Sequence, residues 1–436
     1  MITGLPLIAG HFVRARWRWR RLRDERLRRF QERRARRIVQ YADRHSPFYH
    51  EHWRGHDLAD WRALPTVDKR LMMDNFDTFN TRGLSGEQAM RIALEAERRR
   101  DFTPTLSGFT IGLSSGTSGH RGLFVADPAE QAAWAGTILA RTLHNLSRRY
   151  RVAFFLRSNS NLYERAGGAL IQFRYFDLML PLDEAVAGLN AYRPQIVIGP
   201  PSLLEMLASE RERGSLRIAP ERLISVAEVL EPQVRERITA SFGAPLHQVY
   251  QCTEGLIAIS CAAGSLHVQE DVVALQYEPL EGERVTPIVT DLWRTTQPII
   301  RYRLNDVLRL DPQPCACGSS WQVIRAIEGR SDDVCYFESA AGGMRAFFPD
   351  TIRRMILLSS TAITEYQAVQ ERPGQLRIFL DLPADTPFAP VADSVRQSVA
   401  ATIAQYECLP ADVTIAPGVP AAATGIKRRR VRRIAA

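Results

Sequence analysis

The sequence predicts an α/β protein, with a large multi-layer N-terminal domain of mixed sheets and a small α+β domain behind it. Three observations carry this. From about residue 128 to 310, short β-type runs alternate with helical stretches, the pattern of stacked α/β layers. Residues 108–125 set β-type side chains on both sides of a Gly/Ser turn, which reads as strand–loop–strand. Past the charged turn Gly329-Arg330-Ser331-Asp332-Asp333, fresh βα patterning runs to the end of the chain. The expected divisions are a basic helix over 1–40, the large domain over 41–331 and the small one over 332–436. A chain of 436 residues has room for about three average domains.

The first element is a helix over residues 12–40. Trp19, Leu22, Leu27, Phe30 and Ile38 recur at spacings that fit one apolar stripe. The segment before residue 41 carries 13 Arg against Asp24, Glu25 and Glu32. Docking of that stripe on the body is the first expectation. The sharper one is a peripheral membrane contact, with Trp17 and Trp19 at an anionic lipid interface. Asp68 to Phe79 reads as a short capped helix. In the α/β region the strand-like runs are 152–156, 196–198 and 223–226, with helices over Ser202–Arg213 and Pro232–Ser241. In the small domain, Leu376–Leu382 reads as a strand and Val391–Gln405 as a helix.

The net charge of +9 is unevenly placed. The last ten residues hold Lys427, Arg428, Arg429, Arg430, Arg432 and Arg433, whereas residues 41–426 carry 38 basic and 45 acidic groups. A protein that tracks a phosphate backbone spreads positive charge over a face of its body, so no nucleic-acid partner is expected. No stretch is long and apolar enough for a membrane span, and no secretory signal is legible. Six Cys are too few for a disulfide framework, and a cytoplasmic location is the expectation.

Chemistry concentrates in a few segments. Ser114-Ser115-Gly116-Thr117-Ser118-Gly119, followed by His120-Arg121-Gly122, offers hydroxyls and backbone N–H groups that wrap phosphate oxygens. It lacks the Gly-Lys-Ser/Thr of a Walker loop. In Val249-Tyr250-Gln251-Cys252-Thr253-Glu254-Gly255, Tyr250 can stack on a base, Thr253 can bind phosphate and Glu254 can hold Mg²⁺. Asp306 closes Ile300-Arg301-Tyr302-Arg303-Leu304-Asn305 as an acceptor for ribose hydroxyls, and Arg330 suits a phosphate or ribose. Lys427 follows Gly425-Ile426 in the basic tail, which by itself reads equally as a solvated charge run. Cys261, His267, Cys315 and Cys317 form Cys-x₅-His and Cys-x-Cys, a set able to close a tetrahedral zinc site. Cys252 is a competing ligand in that reading, and Cys335 and Cys408 are core residues.

In order and spacing these segments resemble the adenylate-forming superfamily of acyl-CoA synthetases and adenylation domains, closest to the phenylacetate–CoA ligase-like branch. Leu64-Pro65-Thr66-Val67-Asp68-Lys69, Ile198-Gly199-Pro200-Pro201-Ser202 and Phe348-Pro349-Asp350-Thr351-Ile352 add to the resemblance, which spans about residues 40–434. It implies an adenylation domain with a mobile C-terminal lid domain hinged at Asp332. It implies two half-reactions: a carboxylic acid, expected to be aromatic, attacks ATP to give acyl-AMP, and the acyl group then passes to the thiol of CoA or of an acyl carrier protein. An adenylyltransferase or an amide-forming ligase is the alternative. By resemblance the Ser115–Gly119 loop holds phosphates, Glu254 holds Mg²⁺, Ala227, Glu228 and Tyr250 border adenine, and Asp306 binds ribose. Lys427 bridges carboxylate and α-phosphate. Some members of the branch carry Cys and His at the places of the zinc set. Gln251 stands where Gly is usual, and His120-Arg121 where Pro is usual. Acid-pocket walls are expected over Phe173–Asp177 and at Ala227. A homodimer is kept open as the assembly.

Overall fold

The computed structural model describes residues 5–99, 101, 103–113, 122–143, 148–156, 171–178, 180–420 and 429–434. The predicted Gly/Ser loop, residues 114–121, and Lys427 lie outside the described residues. The chain forms two compact units. One comprises residues 1–278, 287–304 and 310–325, and the other residues 279–286, 305–309 and 326–436.

The first unit opens with two helices, where the periodicity predicts one. α1 spans Leu5–Arg21 and α2 Asp24–His45. The break falls at Asp24, whose φ is +46°, a left-handed conformation that a helix interior does not tolerate. Leu22, Leu27 and Ile38 of the predicted stripe are buried, and Trp19 and Phe30 pack with Leu22, Leu27 and Trp321. Short helices α3 (Pro47–His52), α4 (Lys69–Asp74) and α5 (Phe76–Phe79) follow. The capped helix expected from Asp68 is thus two turns broken at Asn75. Asp68 caps α4 by accepting the Leu71 N–H at 2.8 Å. α6 (Gly86–Arg99) then packs on a three-stranded antiparallel sheet of β1 (Thr105–Leu106), β2 (Phe109–Leu113) and β3 (Leu123–Ala126).

Beyond α7 (Pro128–Thr142) comes the α/β layer. Its strands are β4 (Tyr150–Leu156), β5 (Ile171–Asp177), β6 (Ile196–Gly199), β7 (Arg222–Val226) and β8 (Leu246–Cys252). They lie in the order β8-β7-β6-β4-β5, all parallel, and antiparallel β9 (Gly255–Ser260) and β10 (Leu266–Val268) extend the β8 edge. Alternation along β4 assigns its faces. Val152 joins Ile196, Ile224 and Val249 under Trp134, Ile138 and Leu139 of α7. Ala153 and Phe155 pack on the other side against α8 (Leu182–Tyr192), α9 (Pro201–Glu212) and α10 (Pro232–Phe242). Covering both faces is what a parallel sheet requires. β11 (Val273–Pro279), β12 (Arg284–Asp291), β13 (Tyr302–Arg303), β14 (Asp306–Asp311) and β15 (Val323–Arg330) complete this region, and the chain passes between the two units within β11, β12, β14 and β15 and between β13 and β14.

The second unit holds the hairpin β16 (Cys335–Glu338)–β17 (Met344–Phe347) and a four-stranded sheet. That sheet orders β20 (Asp412–Pro417), β19 (Gln375–Asp381), β18 (Glu365–Gln370) and β21 (Val431–Arg433). Helices α11 (Pro349–Leu357) and α12 (Phe388–Gln405) cover it, with Cys335 and Cys408 in the shared core as expected. The tail is not a solvated run over its described part. β21 pairs with β18, Arg429 is ion-paired with Asp333, and Arg430 makes a bidentate pair with Glu365 at 2.6 and 2.9 Å.

Candidate active site and metal centre

The parallel registers align the carboxyl ends of three strands. Gly199 lies opposite Ser225, and Val226 opposite Val249. The turns leaving β6, β7 and β8 therefore share one edge of the sheet, where open α/β sheets bind ligands. After β6, Pro200-Pro201 starts α9 directly. After β7, Ala227 takes a φ of +71°, and the Glu228 N–H closes a three-residue turn on the Val226 carbonyl at 2.9 Å. An alanine in that region is strained, so packing around it holds the turn open. Glu228 accepts the Ser202 N–H at the start of α9 at 3.3 Å, so its carboxylate ties the β7 turn to the β6 turn. After β8 the pairing slips at Tyr250/Gln251, a bulge inside the segment predicted to stack on a base.

Thr253 and Glu254 follow that bulge. The Thr253 hydroxyl donates to Glu254 at 2.9 Å, and the Thr253 carbonyl accepts from Arg294 at 2.6 Å. Arg294 also donates to the Val125 carbonyl at 3.1 Å and to Gln297 at 2.6 Å. Glu130, which completes a capping box with Asp127 at the start of α7, accepts from Thr295 N–H, Thr295 hydroxyl and Thr296 N–H at 2.6–3.0 Å. None of Glu130, Asp291, Arg294 or Gln297 was foreseen from the sequence. The only signal there was Asp127-Pro-Ala-Glu130, a cap pattern before a helix. Buried Tyr302 lies near Glu254, and burial first and that carboxylate second push its phenol well above the ordinary range. Val67 bridges to Tyr302, so two of the resembling segments, at 64–69 and 300–306, are neighbours.

Asp291 holds this turn by accepting the N–H groups of Trp293 and Arg294 at 2.8 and 2.9 Å. Burial pushes its carboxyl up to about 6 from 3.8. The folded state therefore retains a proton that the unfolded chain has released. This favours folding below about pH 4, and the advantage is lost as pH rises through 6. Ionised, the group costs about 3 kcal/mol. Asp291→Asn is expected to raise the unfolding free energy at pH 7.5 by about 1–3 kcal/mol, with the gain vanishing toward pH 4. Denaturant unfolding across that range checks it, and a gain independent of pH would contradict the burial account.

Asp306 and Arg330 fall in the second unit, where Arg330 Nε lies 3.9 Å from an Asp306 oxygen. Asn305 donates to Asp332 at 2.5 Å and accepts the Ser331 N–H on its carbonyl at 2.7 Å. Gly329 has a φ of +120°, which L side chains rarely adopt, and a β-carbon there would lie 3.0 Å from the Pro349 ring. Of the expected acid-pocket walls, Phe173 packs in the α7-covered core and Phe176 in the opposite one, so alternate residues of β5 serve both cores.

The four metal-type residues converge. Their ligand atoms all lie within 4.8 Å of one another. Cys261 and Cys315 sulfurs are 3.7 Å apart, and Cys317 Sγ is 3.4 Å from His267 Nε2. Tetrahedral zinc with ordinary bond lengths sets sulfurs about 3.8 Å apart and sulfur about 3.5 Å from nitrogen. The donor set and spacing fit that ion. His267 is fully buried, and its Nδ1 donates to the Trp321 carbonyl at 2.8 Å, which turns Nε2 to the sulfurs. Burial raises the Cys315 thiol, but hydrogen bonds from Ser265, the Cys317 N–H and His267 hold it down to about 6. Cys252, the competing ligand, stands outside this cluster, with its sulfur directed at the Gly255 carbonyl at 3.7 Å.

No model of a protein family matches the chain. A layered α/β body whose parallel strands end on one shared edge, followed by a small α+β unit, is the fold of adenylate-forming ligases. The structure of 2-hydroxyisobutyryl-CoA ligase in its postadenylation state with an acyl-adenylate superposes with a TM-score of 0.68, at 19% identity, over 94% of this chain and 89% of the other. An amide bond synthetase from Marinactinospora thermotolerans shares it at a TM-score of 0.52 and 12% identity, over 72% and 66%. In sequence, the chain is a homologue of phenylacetate-coenzyme A ligase from Thermus thermophilus, 25% identical over 382 residues that cover 81% of this chain and 80% of that one. It also matches Protein CapK of Staphylococcus aureus, at 24% over a third of each chain.

Proposed function

We propose that the protein activates a carboxylic acid with ATP as acyl-AMP and pyrophosphate, then transfers the acyl group to the thiol of CoA. The observation that carries this reading is the shared edge where the β6, β7 and β8 turns bring Ala227, Glu228, Tyr250, Thr253 and Glu254 together on an adenylate-forming fold. Attack on the α-phosphate gathers negative charge, which positive and hydrogen-bonding groups must meet. In this reading the Ser114–Gly119 loop and Thr253 grip phosphate, Tyr250 and the strained Ala227 turn border the base, and Asp306 with Arg330 takes the ribose. Glu254, steadied by Thr253, would hold Mg²⁺, which supplies charge neutralisation at the phosphates when bound. Lys427 joins the carboxylate and the α-phosphate, and Asp332 is the hinge. An aromatic acid is the preferred substrate class, on the similarity to phenylacetate-coenzyme A ligase.

Zinc is the ion proposed for the Cys261–His267–Cys315–Cys317 set, with a structural role because four protein ligands leave no open position. The locale is read as cytoplasmic. A carrier-protein thiol and an amide-forming amine remain the competing acceptors, the latter because an amide synthetase shares the fold. ATP–pyrophosphate exchange over a panel of aromatic and aliphatic acids tests the first half-reaction, and CoA, a carrier protein or an amine added in turn tests the second. Exchange with none of the acids would overturn the proposal. Exchange without CoA-dependent thioester would keep the activation and change the acceptor.

A further inference from the structure

We propose that the outer face of α1 docks the protein on the surface of an anionic phospholipid bilayer. The five arginines of this 17-residue helix divide by face, and the helix carries no carboxylate. The inner side is spent on the body: Ile8 and Ala15 are buried, Trp19 stacks edge-on against His267 and Trp321, and Arg16 donates to the Leu143 carbonyl at 2.5 Å. Arg18 lies over Trp293 at 4.3 Å. This corrects the expectation that Trp17 and Trp19 share an interface, because only Trp17 faces out.

Val13, Arg14, Trp17, Arg20 and Arg21 fall within an arc of about 120° on the opposite side. Val13 is 65% and Trp17 58% exposed. Among the described residues no other tryptophan is an exposed large hydrophobic, and no carboxylate is paired with Arg14, Arg20 or Arg21. Unpaired guanidinium groups flanking an exposed tryptophan and valine suit a surface that offers anionic head groups and an apolar layer just beneath them. A second copy of this face would meet like charge. Nucleic acid would use the arginines but gain little from Val13.

Co-sedimentation of the full chain with phosphatidylcholine vesicles, and with mixed phosphatidylcholine–phosphatidylglycerol vesicles, tests this. Binding to the mixed vesicles alone is expected. Each neutralised arginine should cost about fivefold, so the triple change Arg14→Gln, Arg20→Gln and Arg21→Gln should cost about a hundredfold. Trp17→Ser should cost about tenfold. Thermal unfolding should stay as in the wild type, since these side chains hold nothing in the body. Equal partitioning onto both vesicle types, wild-type binding by the triple variant, or binding to a DNA duplex without preference for anionic vesicles would each overturn the assignment.

Discussion

Lys427→Ala is expected to lose acyl-AMP formation by at least about a thousandfold while ATP still binds. The expectation rests on charge. The attacking carboxylate and the α-phosphate are both anionic, and a cation placed between them lowers the cost of bringing them together. Two residues further on in sequence, the chain is anchored within the second unit. Arg429 is bound to Asp333, whose carboxyl burial pushes up to about 6 against the pull of Arg429, and Arg430 is held by Glu365. ATP–pyrophosphate exchange reads the first half-reaction. Thioester formation from supplied acyl-AMP reads the second, and should fall far less. Wild-type exchange in the variant would remove Lys427 from the mechanism.

Removing zinc bound at the Cys261–His267–Cys315–Cys317 set is expected to loosen α1 and α2 and to cost roughly 3–5 kcal/mol of stability, less than a zinc-finger peptide gains, because His267 also lies in a strand paired with β9. The knuckle and the arm interlock. Trp321 takes the His267 proton on its carbonyl and donates its indole N–H to the Leu22 carbonyl at 2.7 Å, while Arg23 donates to the Gly318 carbonyl at 2.6 Å. Asp24 N–H reaches Ser320 at 3.3 Å. Loss of a bound ion would free Cys315–Ser320, and with it the floor under the α1–α2 joint. Chelation, or Cys315→Ser with Cys317→Ser, should make the arm's arginines prompt trypsin sites and lower the melting temperature. Metal analysis finding less than about 0.2 zinc per chain, or an unchanged digest, would refute this.

The α/β layer was legible because its signals are local. Val152–Leu156, Ile196–Ile198 and Leu223–Val226 are short apolar runs alternating with helical stretches, and each matches a strand to within two residues. The convergence of the Cys-x₅-His and Cys-x-Cys pairs was legible because a metal site draws on few residue types, and the fold brings their ligand atoms within 4.8 Å of one another. The one-helix reading of the arm failed because a periodic stripe survives a kink, and the left-handed Asp24 leaves no mark in composition. The clamp of Glu130, Asp291, Arg294 and Gln297 was illegible for another reason. Its members are dispersed over 168 positions and meet only through the fold. The Ala227 turn was expected at the adenine edge, but nothing in an alanine announces a positive φ.

Gly136 bears on how the protein can be shortened. A β-carbon there would sit 2.6 Å from the Ile8 carbonyl, so α1 lies backbone to backbone on α7. The basic arm formed by α1 and α2 invites trimming as a dispensable tag. Cutting it away would strip the partner from the Trp321 indole N–H and the Ala15 carbonyl from Arg141. It would also remove Arg18 from beside Asp271 and open the Trp293 face that Arg34 covers at 3.6 Å. A defect in a shortened chain would report on these lost contacts as much as on any role of the arm, so that role is read from point changes on its outer face.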